Sequence, residues 1–244
     1  MMQVEHLQKR FGTVTAVEDV SFEAADGQVT GLLGPNGAGK TTTLRILYTL
    51  ARPDGGDARV DGVGVLSDPT EVRRRIGVLP DGKGLSPRLT AREHVRYFAA
   101  LHGLSGLVLE KRVDALFERL EMRQFSERPA QGFSQGERMK VCVARALVHD
   151  PKNILLDEPT NGLDVMSIRG MRELIRGLKE DGRCVLLSSH VMQEVGALCD
   201  RIVVVARGRV VADQTPDGLI QLTGARSLED AFVAAVALPP FEAT

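Results

Sequence analysis

The chain has 244 residues, 31 Lys and Arg against 32 Asp and Glu, and a net charge of −1 at pH 7, so no net electrostatic field draws it to nucleic acid or to anionic lipid. Its three cysteines, Cys142, Cys184 and Cys199, lack C-x-x-C spacing, which argues against a zinc site and a disulfide framework and fits a reducing compartment. No apolar run approaches the length that spans a bilayer, and MMQVEHLQKR lacks the apolar core of a signal peptide, so the chain is expected to be soluble and cytosolic.

In chain order, VEHL and AVEDVSFEA alternate as antiparallel strands, bounded by Gly12 and by the turn Asp26-Gly27. QVTGLLG suits a short buried strand, and TTTLRILYTL has helical spacing. PTEVRRR predicts a short helix, and IGVLP a strand. Thr90 with Glu93 makes a capping box ahead of EHVRYFAALHG, and LVLEKRVDALFERLEM is a further helix. A helix over FSQGE to about His149, the strand NILLD, a helix over VMSIRGMRELIRGLKE, the strand RCVLLSS, a helix over VMQEVGALC and the strand RIVVVA follow. Such alternation predicts an α/β fold with a parallel sheet and crossover helices. The tail adds a hairpin-like RGRVVAD and two short helices, PDGLIQL and SLEDAFVAAVAL, before PPFEAT, which should fray. One domain is expected, with a core over about 1–82 and 150–206, a helical subdomain over about 83–149 and a tail over about 207–244.

GPNGAGKT, Gly34 to Thr41, matches the phosphate-binding pattern G-x-x-x-x-G-K-[ST] between a strand and a helix. The backbone N–H groups of Gly37, Ala38, Gly39 and Lys40 can wrap a phosphate, with glycine permitting the dihedrals and the close approach. Lys40 would reach the β- and γ-phosphates, Thr41 would place its hydroxyl on magnesium, and Thr42 would bond an inner phosphate. Asp157 and Glu158 end an apolar strand, where a parallel sheet presents its ligands. Asp157 would hold magnesium and Glu158 would act as general base on the attacking water; the alternative is a pair of acids that simply end a strand. Phe11 is either an ordinary strand aromatic or an adenine-stacking ring, and His190 either a strand-end histidine or a sensor of the γ-phosphate. Ser134 and Glu137 form a capping box, while Ser134 with the bare backbone of Gly136 also makes an anion-binding helix terminus.

GPNGAGKTTTLR, FSQGERMK, LLDEPTNGLD and SSH, in that order and spacing, resemble the nucleotide-binding subunit of ABC transporters over nearly the whole chain. The resemblance implies a P-loop NTPase, RecA-like core with an N-terminal antiparallel β subdomain and a helical signature subdomain, with ATP and Mg2+ as cofactors. It implies that Phe11 stacks on adenine, that Gly34, Pro35, Asn36 and the following residues to Thr42 wrap the phosphates, and that FSQGE is a variant of the LSGGQ signature. Asp164 would communicate between subunits and His190 would be the switch histidine. Ser134, Gln135 and Gly136 would complete the ATP site of the opposite subunit in a head-to-tail homodimer, or a heterodimer with a similar ATPase chain. Helix and strand lengths alone do not exclude a contact within one chain, so this trans role comes from the resemblance.

The sequence departs from the family at two positions. Asp81 stands where a glutamine is usual: it could still serve magnesium, although a carboxylate cannot donate a hydrogen bond, or it merely begins an Asp-Gly turn. Glu137 replaces the usual glutamine of the signature and is assigned to the capping box. The pore would lie on a separate multi-spanning permease, docked on the helical insert, with the chain held at the cytoplasmic face of the cell membrane and no nucleic acid as partner. LSPRLTAREHVRYFAALHG, with FSQGERMKVCVARALVHDP and LLDEPTNGLDVMSIR, is similar to ATPases of two-component bacterial exporters, closest to the sodium-efflux type, and the ending SLEDAFVAAV resembles the LEDxF ending of exporter ATPases. A soluble ATPase of the same type, such as an iron–sulfur assembly helper, is the alternative; a DNA-repair clamp is opposed by the lack of sustained heptads between Lys40 and Ser134.

Overall fold

The computed structural model describes residues 1–81 and 84–239. The first strands, β1 (Met2–Phe11) and β2 (Val14–Ala24), pair antiparallel around a turn at Gly12, as the alternation predicts. The pairing is not regular: His6 sits at φ 48°, and the register shifts between Val4 and Leu7. Two strands carry no clear sequence signal, β4 (Gly55–Val60) and β5 (Val63–Gly64), with β4 laid against β1. In β4 only Ala58 and Val60 are buried, so its apolar alternation is too short to stand out beside two glycines and two charges.

The second sheet region is parallel. β9 (Arg201–Ala206), β3 (Val29–Leu33), β8 (Cys184–Ser188), β7 (Asn153–Asp157) and β6 (Ile76–Leu79) lie side by side in that order. β10 (Arg209–Gln214) returns antiparallel to β9 and joins β2 at Arg209, so the ten strands form one sheet in the order β5-β4-β1-β2-β10-β9-β3-β8-β7-β6. The hairpin expected from RGRVVAD is thus the seam between the antiparallel and parallel parts.

Alternate residues of the parallel strands enter different cores. Val185 and Leu187 of β8 pack with Ile202 and Val204 of β9 on one face, and Cys184 and Leu186 with Val203 and Val205 on the other. Strands buried on both faces read as continuous apolar runs, and each such side chain contributes about 1.5–3 kcal/mol. Helix α1 (Lys40–Leu47) follows β3, and α2 (Pro69–Arg75), capped by Asp68, precedes β6. Between β6 and β7 the chain is helical: α3 (Ala91–Leu101), α4 (Gly106–Arg119) and α5 (Gln135–Leu147) enclose Phe117, Met122, Phe125 and Phe133. Phe125 and Phe133 meet edge to face at 5.4 Å. α6 (Val165–Glu180) and α7 (Met192–Leu198) cross between β7, β8 and β9, and α8 (Pro216–Thr223) and α9 (Leu228–Val236) close the chain. Gly82, with which Asp81 would form a turn, Lys83, where the helical subdomain is expected to begin, and the final residues from Pro240 lie outside the described residues.

Candidate functional site

The carboxyl ends of β3, β8 and β7 lie side by side, since β8 pairs with both neighbours: Leu32 and Asp157 both stand in register with Ser188. The sheet therefore gathers Gly34–Thr42, Ser188–His190 and Asp157–Glu158 at one edge, where α/β sheets bind ligands.

The loop after β3 is held tightly from behind and open in front. A Cβ on Gly34 would stand 2.2 Å from Val205 O, and one on Gly39 2.5 Å from Ala16 O, so neither position admits a side chain. A Cβ on Gly37 would meet nothing within 4 Å, and its φ of 78° is one that glycine adopts freely. Pro35, Asn36 and Gly37 are exposed, whereas Ala38, Gly39 and Lys40 are buried. Gly39 starts α1 in a left-handed conformation with no side chain capping the first turn, so the first N–H groups of α1 face the loop's concavity, a terminus suited to phosphate. Ala38 N–H closes the loop onto Pro35 O at 3.1 Å. Lys40 Nζ folds across to Gly34 O at 2.6 Å and Pro35 O at 3.1 Å. Burial pushes the ammonium below its ordinary value, against the pull of Glu158 and Asp157. Lys40 is thus felt by both acids across the site. Thr41 and Thr42 open α1, half-buried beside it.

At the end of β7, Ser188 Oγ–H donates to Asp157 Oδ1 at 2.6 Å and accepts the Glu158 N–H at 3.0 Å. Asp157 Oδ2 is buried and has no hydrogen-bond partner among the described residues. Burial raises the Asp157 carboxyl above its ordinary value despite Ser188, and the charges of Asp81 and Glu158 add to the rise. An orphaned buried carboxylate oxygen under like charge is what a divalent cation would relieve, so the donors present, Asp157 with the Thr41 hydroxyl, fit magnesium. Among the described residues no group of three or more His, Cys, Asp or Glu forms a ready-made metal cage. The metal would therefore need oxygens from the nucleotide, as magnesium sites on phosphates do. Asp81 is exposed and reaches the site through its charge.

Glu158 has φ 50°, a left-handed conformation that costs a non-glycine residue energy. His190 Nδ1 lies 2.9 Å from Glu158 Oε2. Neither sequence reading of His190 foresees that contact; LLSSH supplies both Ser188 and His190, but only the pairing of β7 with β8 brings them to the acids.

The helix terminus at Ser134 is built as expected. Ser134 Oγ accepts the Glu137 N–H at 3.2 Å, and Glu137 Oε2 accepts the Ser134 N–H at 2.8 Å. Arg128 adds a contact to the same carboxylate oxygen, one that the sequence does not announce. Although its burial works upward, Glu137 is held below its ordinary value by the Ser134 N–H and Arg128, so it stays ionised and committed to the box. Gly136 packs on α6: a Cβ there would stand 2.5 Å from Ser167 Oγ. Ser167 in turn donates from N and Oγ to Asp164, each at 2.9 Å, making Asp164 the cap of α6. Ser134, Gln135 and Gly136 thus neighbour Asp164 in one chain, and no hydrogen bond or ion pair among the described residues joins them to Lys40 or Glu158. Phe11 ends β1, 54% exposed, with Lys9 Nζ 5.3 Å from its ring centre, free to offer a face to a planar group.

Residues 17–161 match the family model described as ABC transporter. A curated relative, the ABC transporter ATP-binding protein NatA of Bacillus subtilis (strain 168), is 46% identical over 84% of this chain and 83% of its own length. The Nod factor export ATP-binding protein I of Ralstonia nicotianae is 39% identical over 90% of this chain and 68% of its own length. Among solved structures, the ATP-binding subunit of an ABC transporter superposes with TM-score 0.88 at 30% identity, covering 96% of this chain and 99% of that one. A dimeric ATP-binding cassette in a post-hydrolysis state with ADP and Pi gives 0.80 at 27% identity, covering 88% and 98%.

Proposed function

The chain belongs to the ABC transporter family, as an ATP-binding subunit that hydrolyses ATP, and from that premise we propose that it powers export through a separate membrane-spanning permease by ATP-driven head-to-tail dimerisation. The observation that carries the proposal is the convergence at one sheet edge of Lys40, the orphaned carboxylate of Asp157, and Glu158 held against His190. Lys40 and the N–H groups opening α1 hold the triphosphate. Thr41 and Asp157 would hold magnesium, which would supply neutralisation of the charge of the nucleotide's phosphates. Glu158 takes the proton of the attacking water and His190 fixes the direction of that carboxylate. Ser134, Gln135 and Gly136 complete the site of the opposite subunit, with Asp164 between the two.

No helix among the described residues is long and apolar enough to cross a membrane, and the permease reading places the chain at the membrane's cytoplasmic face. A groove of about 480 Å³ adjoins Gly136 and Ser167, and a larger one, about 670 Å³, runs between α2 and the helices α3 and α5. Arg73, Arg74 and Arg145 line the larger groove beside Leu50 and Leu101, which are 74% and 64% exposed, and this basic, apolar surface supports docking of the permease there. Sodium or a small molecule is the exported species, sodium resting on the sequence's resemblance to the efflux type.

The test is recovery of the chain from membranes. Co-purification of a multi-spanning protein whose reconstitution gives MgATP-dependent movement of sodium out of the ATP-side compartment is expected. An ATPase found only in the soluble fraction overturns the permease; transport of another solute overturns sodium alone.

A further inference from the structure

Helix α6 turns a basic stripe toward α7. Arg172, Arg176 and Lys179 are four and three residues apart, the spacing of one helix face. Each reaches the segment that follows His190. Arg172 holds Glu194 at both ends of its guanidinium, Nε to Oε2 at 2.8 Å and Nη2 to Oε1 at 2.5 Å. Arg176 Nη2 donates to Ala197 O at 3.3 Å, and Lys179 Nζ lies 2.5 Å from Asp200 Oδ1. Asp200 in turn accepts the Val29 N–H at 2.9 Å, which ties the end of the stripe to β3.

The Arg172–Glu194 pair differs from the many exposed ion pairs of the surface. The Glu194 side chain is only 6% exposed, and its two oxygens are both engaged. A desolvated, forked pair of this kind fixes geometry, whereas exposed pairs contribute little. α7 has seven residues, too few to hold its own position, so its contacts place it. Its first turn is continuous with the segment that carries His190: Val191 O accepts from Glu194 and Val195 N–H, and Val191 N–H donates to Ser189 Oγ at 3.1 Å. His190, next in line, meets Glu158 at 2.9 Å. The other end of α6 is the Asp164–Ser167 cap on which Gly136 packs.

We propose that Arg172 and Glu194 are a positioning pair that ties His190 to α6, so that displacement of the Asp164 end of α6 moves His190 relative to Glu158. Neither side chain touches the reacting atoms; both act through His190, and the proposal rests on the reading of Glu158 and His190 as the hydrolytic centre.

The test uses the purified full chain with Glu194→Gln, Arg172→Met, the reversed pair Arg172→Glu with Glu194→Arg, and His190→Ala. Each single variant of the pair is expected to lower kcat about tenfold or more, as misplacement of a catalytic group does, while MgATP affinity stays within about twofold. The reversed pair is expected to regain part of the lost rate. The ring-proton resonances of His190, assigned by their loss in His190→Ala, are expected to shift in Glu194→Gln. Unchanged kcat and unshifted His190 resonances in Glu194→Gln and Arg172→Met, with a slow His190→Ala, overturn the positioning pair alone. A wild-type rate in His190→Ala overturns the reading of the centre and the pair with it. Should the single variants fold poorly, a reversed pair that folds and binds MgATP but shows neither rate recovery nor His190 resonances at their wild-type positions also overturns the proposal.

Discussion

Glu158 Oε2 and His190 Nδ1 stand 2.9 Å apart, at the ends of two neighbouring parallel strands. The carboxylate is thereby aimed by a ring from the next strand, and its backbone is held at φ 50°. Glu158→Gln keeps the shape and removes the group proposed as the base. Hydrolysis is expected to fall by about 10²- to 10⁴-fold, the usual worth of general base catalysis, with MgATP binding retained through Lys40. With turnover blocked, the closed dimer should accumulate in MgATP, seen as a shift in size-exclusion elution. Retained hydrolysis would remove Glu158 from the role of base.

What the sequence makes legible here follows from how local each requirement is. GPNGAGKT and LLDEP place chemistry on consecutive residues, and the caps at Thr90 and Ser134 need only a residue and its neighbour three on, so all of these are readable in one dimension. Long apolar runs such as VLLS and IVVV likewise declare buried parallel strands. The position of β8 between β3 and β7 is not written in any one segment, and with it goes the meeting of Ser188 with Asp157. β4 is hidden because only Ala58 and Val60 of it are buried, among two glycines and two charges, and its pairing with the edge of β1 leaves no local mark. The stripe Arg172, Arg176, Lys179 looks from sequence like an ordinary solvated helix face until α7 is laid against it.

Gly136 has helical dihedrals, so alanine there would gain up to about 1 kcal/mol of helix propensity. The added Cβ would sit 2.5 Å from Ser167 Oγ, whose hydrogen bond fastens Asp164. The hydroxyl can turn away only by giving up that bond, a loss of about 0.5–1.5 kcal/mol that offsets the gain, so Gly136→Ala is expected to leave stability within about 1 kcal/mol of the parent. In a Ser167→Ala background, where the hydroxyl is already gone, the same change should stabilise by close to the full propensity gain, read in urea unfolding. Equal shifts in the two backgrounds would mean that the contact does not constrain this terminus.

Asp81 adds to the like charge that keeps the Asp157 carboxyl above its ordinary value, after the larger effect of burial. Asp157 must be ionised to hold a cation. Asp81→Gln removes one repelling charge, so the acid limb of magnesium-dependent ATP binding is expected to move to lower pH, measured by titration between about pH 4 and 7. A limb that stays in place would mean that Asp81 is not felt at the metal position and acts only in its own turn.

The rings of His102 and His149 stack in parallel, 3.5 Å apart with 2° between planes. His149 Nε2–H donates to Ile76 O at 2.9 Å, so a second proton would have to enter on Nδ1, which is buried and has no partner among the described residues. Burial, then His102 facing it and the nearby Arg112, push His149 down to about 4, although Ile76 O and Asp150 oppose this; burial also lowers His102. The folded value lies below the unfolded value of 6.5, so the unfolded chain takes up the proton first as pH falls. Stability from this site is therefore complete above that unfolded value and is lost as pH falls from it toward about 4. Thermal unfolding midpoints should decline over that window, and His149→Gln, which can still donate to Ile76 O but does not titrate, should flatten the decline. Parallel midpoint curves for the two proteins would place the acid sensitivity elsewhere.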